Sequence, residues 1–283
     1  MRALRLVIVG TGTGVGKTHV ACALVAAWAG VTRVVGLKPI ETGITEGRAR
    51  RASEASDQER LTAAAQVFHV KRAPEHPGPA RSGNAGSKRP FHVKHSSHPT
   101  RLQVGQAMRS PHSGPVLPQA SLYTFPEPVS PHLAARDAGV RIDLGLIERW
   151  VAEHQAPVTI VETAGGLFSP LGHTSTNFEL TRTLRPDGVL LVAPDRLGVL
   201  HDLTTTLALA AARGGLPVGI VLSAPAAPDA STGRNSHEIE ALGIGAAITT
   251  FPRRPTGHSA TVAAAHAVMA WAERLRPGSG PTD

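Results

Sequence analysis

The chain of 283 residues is poor in cysteine, in aromatic residues and in long apolar runs. Its single cysteine, Cys22, cannot form an intramolecular disulfide, which excludes a disulfide scaffold and favours a reducing compartment. Hydrophobic residues make up 41% of the chain, but no segment approaches the roughly 18 unbroken apolar positions of a membrane-spanning helix. The length is enough to bury a sizeable core. We therefore expect a globular, cytoplasmic protein that does not bind membranes.

The excess positive charge is confined to one segment. The formal net charge is +8, and residues 48–109 contain 12 of the 29 Lys and Arg but only 4 of the 21 acidic residues. The remainder is neutral, so we expect no nucleic-acid partner. Residues 68–119 are rich in Pro, Gly, Ser, His and Arg and show no periodicity. Because such a composition cannot offset the entropy of ordering, we predict a mobile, disordered basic insertion. Its role as a tether, a partner site or neutral decoration stays open.

Short apolar runs rich in β-branched residues alternate with segments of helical spacing. The runs lie at 6–9, 33–37, 158–161, 189–192, 218–222 and 246–251, and the helical segments at 18–29, 144–154, 203–212 and 259–275. This alternation predicts an α/β fold, with a mostly parallel sheet of about six or seven strands and helices on both faces. We expect one domain over residues 1–283, interrupted by the insertion at 68–119 and ending in a flexible tail at 276–283.

The strongest local signal is GTGTGVGKT at residues 10–18. It follows a predicted strand and opens a predicted helix, which is the context of a phosphate-binding loop (P-loop). Glycines allow backbone N–H groups to surround phosphate oxygens, and the helix dipole favours the negative charge. Lys17 is expected between the β- and γ-phosphates of ATP, and the Thr18 hydroxyl on Mg²⁺. Gly10 lies one place before the strict first glycine position, so the loop is one residue longer than the common form.

Polar motifs follow several of the other predicted strands. Residues 36–43 read GLKPIETG and put a lysine, Lys38, at the carboxyl end of a strand, where open α/β sheets bind ligands. Residues 161–166 read VETAGG and put a carboxylate at the same edge. An SPH run lies at 130–132, and a DRLGVL run at 195–200 leads from a strand into a helix.

In this order the motifs resemble those of the dethiobiotin synthase family of P-loop enzymes, which have GTDTxVGKT, KPVx(S/T)G, SPH and VEGAGG. The resemblance covers nearly the whole chain outside the basic insertion. It implies a ligase of biotin biosynthesis that uses ATP and CO₂ to carboxylate 7,8-diaminopelargonic acid and close its ureido ring. The reaction runs through a carbamate and a carbamic-phosphoric anhydride and gives dethiobiotin, ADP and phosphate. The resemblance also implies Mg²⁺ and a homodimer.

The resemblance further implies a role for each matching residue. The catalytic residues are Lys17, Lys38, Thr13 and Thr42. ATP is bound by Gly12, Thr13, Gly14, Val15, Gly16, Lys17, Thr18, Glu162, Gly165, Gly166 and Ser223. The substrate is bound by Lys38 and Thr42 and, across a dimer interface, by the amides of Gly198, Val199 and Leu200. The metal ligands are Thr18, Asp57 and Glu162, although Asp57 has an alternative explanation as a helix cap.

Four positions depart from the family pattern: Gly12 replaces an Asp, Glu41 a neutral residue, Thr163 a Gly, and Ser223 an Asn that reads adenine. Because Ser makes fewer hydrogen bonds than Asn, we predict weaker or less selective base recognition.

Two other classes of P-loop protein share parts of this pattern. A partition or regulatory ATPase could bind nucleic acid through the basic insertion, but the rest of the chain is neutral. A cobyrinic-acid-type amidotransferase needs a glutaminase domain with a nucleophilic cysteine, and Cys22 is in the wrong place for that role.

Overall fold

The computed structural model describes residues 3–44, 55–70, 118 and 120–275. The strands in these ranges are β1 (Leu4–Gly10), β2 (Val34–Leu37), β3 (Ile40–Thr42), β4 (Tyr123–Phe125), β5 (Val158–Gly166), β6 (Gly188–Pro194), β7 (Val218–Ser223) and β8 (Ala247–Phe251). The helices are α1 (Lys17–Ala29), α2 (Asp57–Val70), α3 (Pro131–Asp137), α4 (Leu144–Glu153), α5 (Asn177–Leu184), α6 (Val199–Ala212), α7 (Asn235–Ala241) and α8 (Ser259–Glu273). None of them is long and apolar enough to cross a membrane.

Six strands form one parallel sheet in the order β2-β5-β1-β6-β7-β8. Strand β1 lies near the centre, with Ile8 paired to Glu162 of β5 on one side and to Leu190 of β6 on the other. Because the strands are parallel, their carboxyl ends share one edge with the P-loop that follows β1. A separate two-stranded parallel sheet, β3-β4, was not predicted from the sequence.

Apolar side chains fill both faces of the sheet. Trp28 of α1 and Val268 of α8 are buried on one face, and Ile147 of α4 and Phe178 of α5 on the other. Helix α4 shows how local sequence gives this arrangement. The Asp143 carboxylate caps its first turn by accepting from two backbone amides, and the apolar face turns inward. The predicted parallel α/β architecture with helices on both faces is confirmed.

Helix α2 and Pro118 mark the ends of the predicted basic insertion. The helix continues through residues 68–70, the first three of that segment. At the far end Pro118 is buried, and its carbonyl accepts from Thr62 Oγ1 at 2.8 Å and from Gln58 Nε2 at 3.4 Å. The far end of the predicted insertion therefore lies against the first turns of α2. Residues 71–117, residue 119 and the predicted tail at 276–283 lie outside the described residues, so their predicted mobility stays a prediction.

Candidate active site

The P-loop connects β1 to α1 in a conformation that requires glycine. Gly16, immediately before α1, has a φ of 96°, in the left-handed region. A Cβ added there would lie 2.4 Å from Ser223 Oγ, so the loop packs directly against the end of β7. Lys17 Nζ donates to the Gly12 carbonyl at 3.0 Å and is therefore folded over the loop. Burial lowers the pKa of Lys17 to about 8, although the charge of Glu162 opposes this shift.

Three elements bring Lys38, Asp57 and Glu162 together beside this loop. Lys38 follows β2, Asp57 is the first residue of α2, and Glu162 lies in β5. Lys38 Nζ donates to Glu162 Oε1 at 2.7 Å and also to the Asp57 carboxylate. Thr18 Oγ1 donates to the same Glu162 oxygen at 2.8 Å. Four of the predicted site residues thus form one contiguous polar cluster.

The cluster keeps its charges paired despite its burial. Lys38 is 6% exposed, and burial alone would lower its pKa, but the two carboxylates raise it above the ordinary lysine value. Burial also acts to raise the pKa of Asp57, but the Lys38 ammonium outweighs it and holds that pKa below its usual range. For Glu162, which is 1% exposed, the effect of burial exceeds the opposing effect of the Lys38 charge, so the pKa is raised. One ammonium thus faces two carboxylates, which leaves room for further positive charge.

One oxygen of Glu162 is left without a protein partner. Its Oε1 accepts two hydrogen bonds, whereas its Oε2 is buried and unpaired among the described residues. A buried unpaired carboxylate oxygen is costly, and a hard cation is a suitable partner for it. The Thr18 hydroxyl and the Asp57 carboxylate complete an oxygen-only set of the kind that Mg²⁺ prefers. The residues present therefore fit the metal that the sequence predicted.

Asp57 does not cap its helix, because Ser56 does. The Ser56 amide donates to Glu59 Oε2 at 2.6 Å, and the Glu59 amide donates to Ser56 Oγ at 3.1 Å. This reciprocal pair is a capping box at the start of α2. It leaves the Asp57 side chain available to face Lys38, so the alternative explanation of Asp57 as a cap is not supported.

Two buried polar residues to which the motifs assign no role position the cluster. Glu41 accepts from the Asp57 amide at 2.7 Å and from Ser121 Oγ at 2.6 Å, so it ties β3 to α2 and to the residues before β4. Gln58 is fully buried, and its side chain accepts from the Lys38 amide at 2.7 Å and donates to the Gly36 carbonyl at 3.0 Å. Glu41 was visible only as a departure from the family pattern, and no sequence signal distinguished Gln58.

The glycine pair after Glu162 lies against the P-loop. Gly165 has a φ of 79°, and Gly10 and Gly166 are paired in the sheet. Asn177, at the start of α5, donates to the Ala164 carbonyl at 2.6 Å and to the Gly166 carbonyl at 2.8 Å, which fixes this turn. Sequence reasoning missed Asn177.

Besides Glu41, two further residues that depart from the family pattern are buried in this region. Thr163 is tolerated because its hydroxyl is buried and donates to the Ile8 carbonyl at 3.2 Å. Ser223 lies at the end of β7 with its Oγ facing Gly16. Its predicted role in adenine recognition stays a prediction.

The remaining predicted residues lie outside the cluster. Thr13 is exposed on the P-loop, and Thr42 ends β3 and is half-buried. Gly198, with a φ of 93°, precedes α6, and the Val199 amide already donates to the Arg196 carbonyl at 3.2 Å. Among the described residues no hydrogen bond links this helix start to Lys17 or Lys38.

The fold and the loop define a P-loop nucleotide-binding protein. A family model described as an AAA domain matches residues 4–81 and 109–257. A plasmid partition protein of Borrelia burgdorferi B31, so described and bound to AMPPNP, has the same fold with a TM-score of 0.50. It shares 8% sequence identity, and the match covers 97% of this chain and all of that one.

Sequence relatives identify the family within this class. The ATP-dependent dethiobiotin synthetase BioD of Anaeromyxobacter dehalogenans (strain 2CP-C) is 33% identical over 258 residues, which cover 88% of this chain and 90% of that protein. The BioD synthetase of Ralstonia nicotianae is 31% identical over 93% of this chain and 94% of its own. The chain belongs to the ATP-dependent dethiobiotin synthetase family, as the motifs indicated.

Proposed function

We propose that this protein converts 7,8-diaminopelargonic acid, CO₂ and ATP into dethiobiotin, ADP and phosphate, in biotin biosynthesis. The observation that carries the proposal is the buried cluster of Lys38, Asp57 and Glu162 beside the P-loop, in a chain that belongs to this family. A reaction that gathers a carbamate and a triphosphate at one place needs cations held in fixed geometry. Lys38 is one such cation, and the two carboxylates that hold it can bind a metal ion as a second.

The chemistry requires positioning and charge stabilisation more than a covalent catalyst. One amine of the substrate adds to CO₂ and loses a proton, which gives a carbamate. A carbamate oxygen attacks the γ-phosphorus, and ADP leaves. The second amine then attacks the carbonyl carbon of the mixed anhydride and loses a proton, and phosphate leaves as the ring closes. Each step moves negative charge between oxygens that fixed cations can stabilise.

Each proposed residue has one task in this sequence. Lys17 holds the β- and γ-phosphates, and Lys38 lies between the carbamate and the γ-phosphate. The hydroxyls of Thr13 and Thr42 donate at the same place. The backbone amides of residues 12–18, with the turn at Gly165 and Gly166, enclose the phosphates. These assignments are supported by the parallel order of β2, β5 and β1, whose carboxyl ends bring Lys38, Glu162 and the P-loop to one edge of the sheet.

The proposed metal ion is Mg²⁺, held by Thr18, Asp57 and Glu162. When bound, it supplies a Lewis acid that neutralises charge on the phosphate oxygens. The support for this assignment is the buried, unpaired Glu162 Oε2 and the oxygen-only character of the set. The residues of the cluster are held in place by Glu41 and Gln58, so the ligands are arranged before the metal binds.

We also propose that the chain is a single domain that acts as a homodimer. The start of α6, at residues 198–200, lies at the correct edge of the sheet to bind the substrate carboxylate through its amides. The homodimer is proposed from the family to which the chain belongs. The relatives favour this synthetase over a nucleic-acid-binding ATPase.

The test is an ADP-release assay with purified protein, Mg-ATP and bicarbonate, with and without diaminopelargonic acid, and with mass-spectrometric detection of dethiobiotin. We expect ADP formation that requires the diamine and matches the dethiobiotin formed. A Lys38→Met variant provides the negative control, and Glu240→Ala, an exposed residue of α7, provides the matched variant that keeps activity. ATP hydrolysis that is indifferent to the diamine would contradict the proposal.

A further inference from the structure

The turn between β6 and α6 is exposed yet tightly held. It contains Arg196, Leu197 and Gly198, all exposed, and Leu197 has 72% of its surface accessible. The turn has no regular structure of its own, because β6 ends at Pro194 and α6 begins at Val199. A turn of this kind is mobile unless other residues fix it. Here the residues that fix it come from the loop after β7.

Two aspartates make the connection. Asp229, in the loop after β7, accepts the Leu197 amide at 2.8 Å through Oδ2. Asp195, the first residue of the turn, is 2% exposed and accepts from the Gly233 amide at 2.8 Å and from Asn235 Nδ2 at 2.7 Å. Hydrogen bonds to both aspartates therefore attach the exposed turn to one segment, residues 229–235.

Further hydrogen bonds from Thr232 and Ser231 stabilise this attachment. Thr232 Oγ1 donates to the Asp195 carbonyl at 2.9 Å and accepts from the Asp229 amide at 3.0 Å. The Ser231 amide donates to Asp229 Oδ1 at 2.8 Å. The hydrogen bonds from the Leu197 and Ser231 amides hold the pKa of Asp229 below its usual range, so the carboxylate stays ionised and a strong acceptor at neutral pH.

We infer that Asp229, Asp195 and Thr232 are positioning residues that hold the start of α6 in the geometry needed to bind the carboxylate end of the substrate. This inference rests on the proposed function, because it assigns a task to the amides of residues 198–200. Backbone donors bind an anion well only if they point at it before it arrives, and each donor that must first be ordered weakens binding. None of the three residues needs to touch the substrate.

From the same network we expect the effect to be confined to one substrate, the diamine. The Asp195 amide donates to the Ser223 carbonyl at 2.9 Å, and Ser223 packs on Gly16 of the P-loop. That bond does not involve the Asp229 carboxylate or the Thr232 hydroxyl. Removing either group should therefore loosen the turn and leave the nucleotide side in place.

The experiment compares Asp229→Ala, Thr232→Val and Thr232→Ser with the wild type. Each is assayed for the KM of diaminopelargonic acid, the KM of ATP and kcat. We expect Asp229→Ala and Thr232→Val to raise the KM of the diamine by about 3- to 10-fold, the size of one net hydrogen bond, with kcat and the KM of ATP nearly unchanged. Thr232→Ser keeps the hydroxyl and should retain the wild-type KM. Glu240→Ala removes an exposed carboxylate from nearby α7 and controls for loss of charge.

The possible outcomes separate this inference from the proposed function. If the wild type forms no dethiobiotin, the proposed function fails, and with it the task assigned to α6. If the wild type is active and both variants keep the wild-type KM for the diamine, only the inference is overturned. The inference is also overturned if the KM of ATP and of the diamine rise together and Thr232→Ser behaves like Thr232→Val, since that pattern indicates a general loss of structure.

Discussion

Replacement of Lys38 by methionine tests whether the buried cluster is held together by this one ammonium group. Methionine has a similar length and no charge, so the change removes the cation that bridges Glu162 and Asp57 while largely keeping the volume. The variant would leave two carboxylates at one site, one of them fully buried. Either the folded state keeps the repulsion or Glu162 takes up a proton, and both reduce the free energy of unfolding.

The size of the effect follows from the burial of the partners. Removing one partner of a buried ion pair typically costs about 3–5 kcal/mol. Because the Asp57 side chain is 31% exposed, water screens part of this interaction, and we take the lower end, about 3 kcal/mol. For a domain of this size such a loss lowers Tm by about 6–12 °C. Loss of the cation that we propose to face the carbamate should reduce kcat by about 100-fold or more.

Thermal unfolding of the magnesium-free protein, followed by circular dichroism, measures the stability, and the ADP-release assay measures the activity. Lys17→Met is the matched control. Lys17 is equally buried, but its ammonium donates to a neutral carbonyl, and burial lowers its pKa to about 8. Its removal should therefore abolish activity without lowering Tm. In the double variant Lys38→Met/Glu162→Gln the uncompensated carboxylate is gone, so most of the Tm should return while activity stays lost.

The reasoning is refuted if Lys38→Met unfolds within about 2 °C of the wild type, a difference that for this size corresponds to less than about 1 kcal/mol. It is also refuted if the double variant is no more stable than the single one. Either result would mean that the carboxylates are already neutral or solvated without Lys38.

Three further predictions follow from the site and its surroundings. Gly16→Ala should weaken ATP binding by more than about tenfold, since a positive φ and a 2.4 Å contact with Ser223 both oppose a side chain. Gly12→Ala should leave ATP binding unchanged, because its added Cβ would meet Val15 at 3.9 Å among the described residues. Equal binding of a fluorescent ATP analogue by the two variants would contradict this prediction. The kcat/KM for ATP should exceed that for GTP by no more than about tenfold if Ser223 reads the base poorly, so a preference of several orders of magnitude would rule this out. Burial raises the pKa of the Cys22 thiol to about 12, so the thiol stays neutral at pH 8. The stability that the neutral thiol contributes is lost only as the pH rises from about 9, the ordinary thiol pKa, towards 12. Iodoacetamide should therefore leave the native protein unmodified and alkylate it only in denaturant, which mass spectrometry would show.

Most of the fold was predictable because it depends on patterns that are local in sequence. The apolar run at 189–192 became β6, and the P-loop appeared between β1 and α1 as expected. The short strands β3 and β4 were missed, since three residues give no measurable periodicity. Helix α6 begins at Val199, within the run at 195–200 that was expected to lead into a helix and four residues before the segment of helical spacing at 203–212.

The residues that form the polar cluster could also be predicted from the sequence, but only as an ordered set of motifs. Lys38 and Glu162 were expected at the ends of their strands, and the structure places them 2.7 Å apart at Nζ and Oε1. The residues that support them were not predictable. Gln58 and Asn177 make their hydrogen bonds to backbone groups that are distant in sequence, and no local pattern marks such partners.

The parallel α/β architecture, the P-loop and the family could be predicted from the amino-acid sequence, because periodicity, glycine placement and motif order are properties of neighbouring residues. The folded structure was needed to show that Ser56 and not Asp57 caps α2, that Glu41 accepts the Asp57 amide, and that one oxygen of Glu162 has no partner among the described residues. Only the tertiary structure, too, attached the start of α6 to Asp229. Each of these results depends on which donors face which acceptors after the sheet has formed, and that pairing is set by packing between segments far apart in the chain.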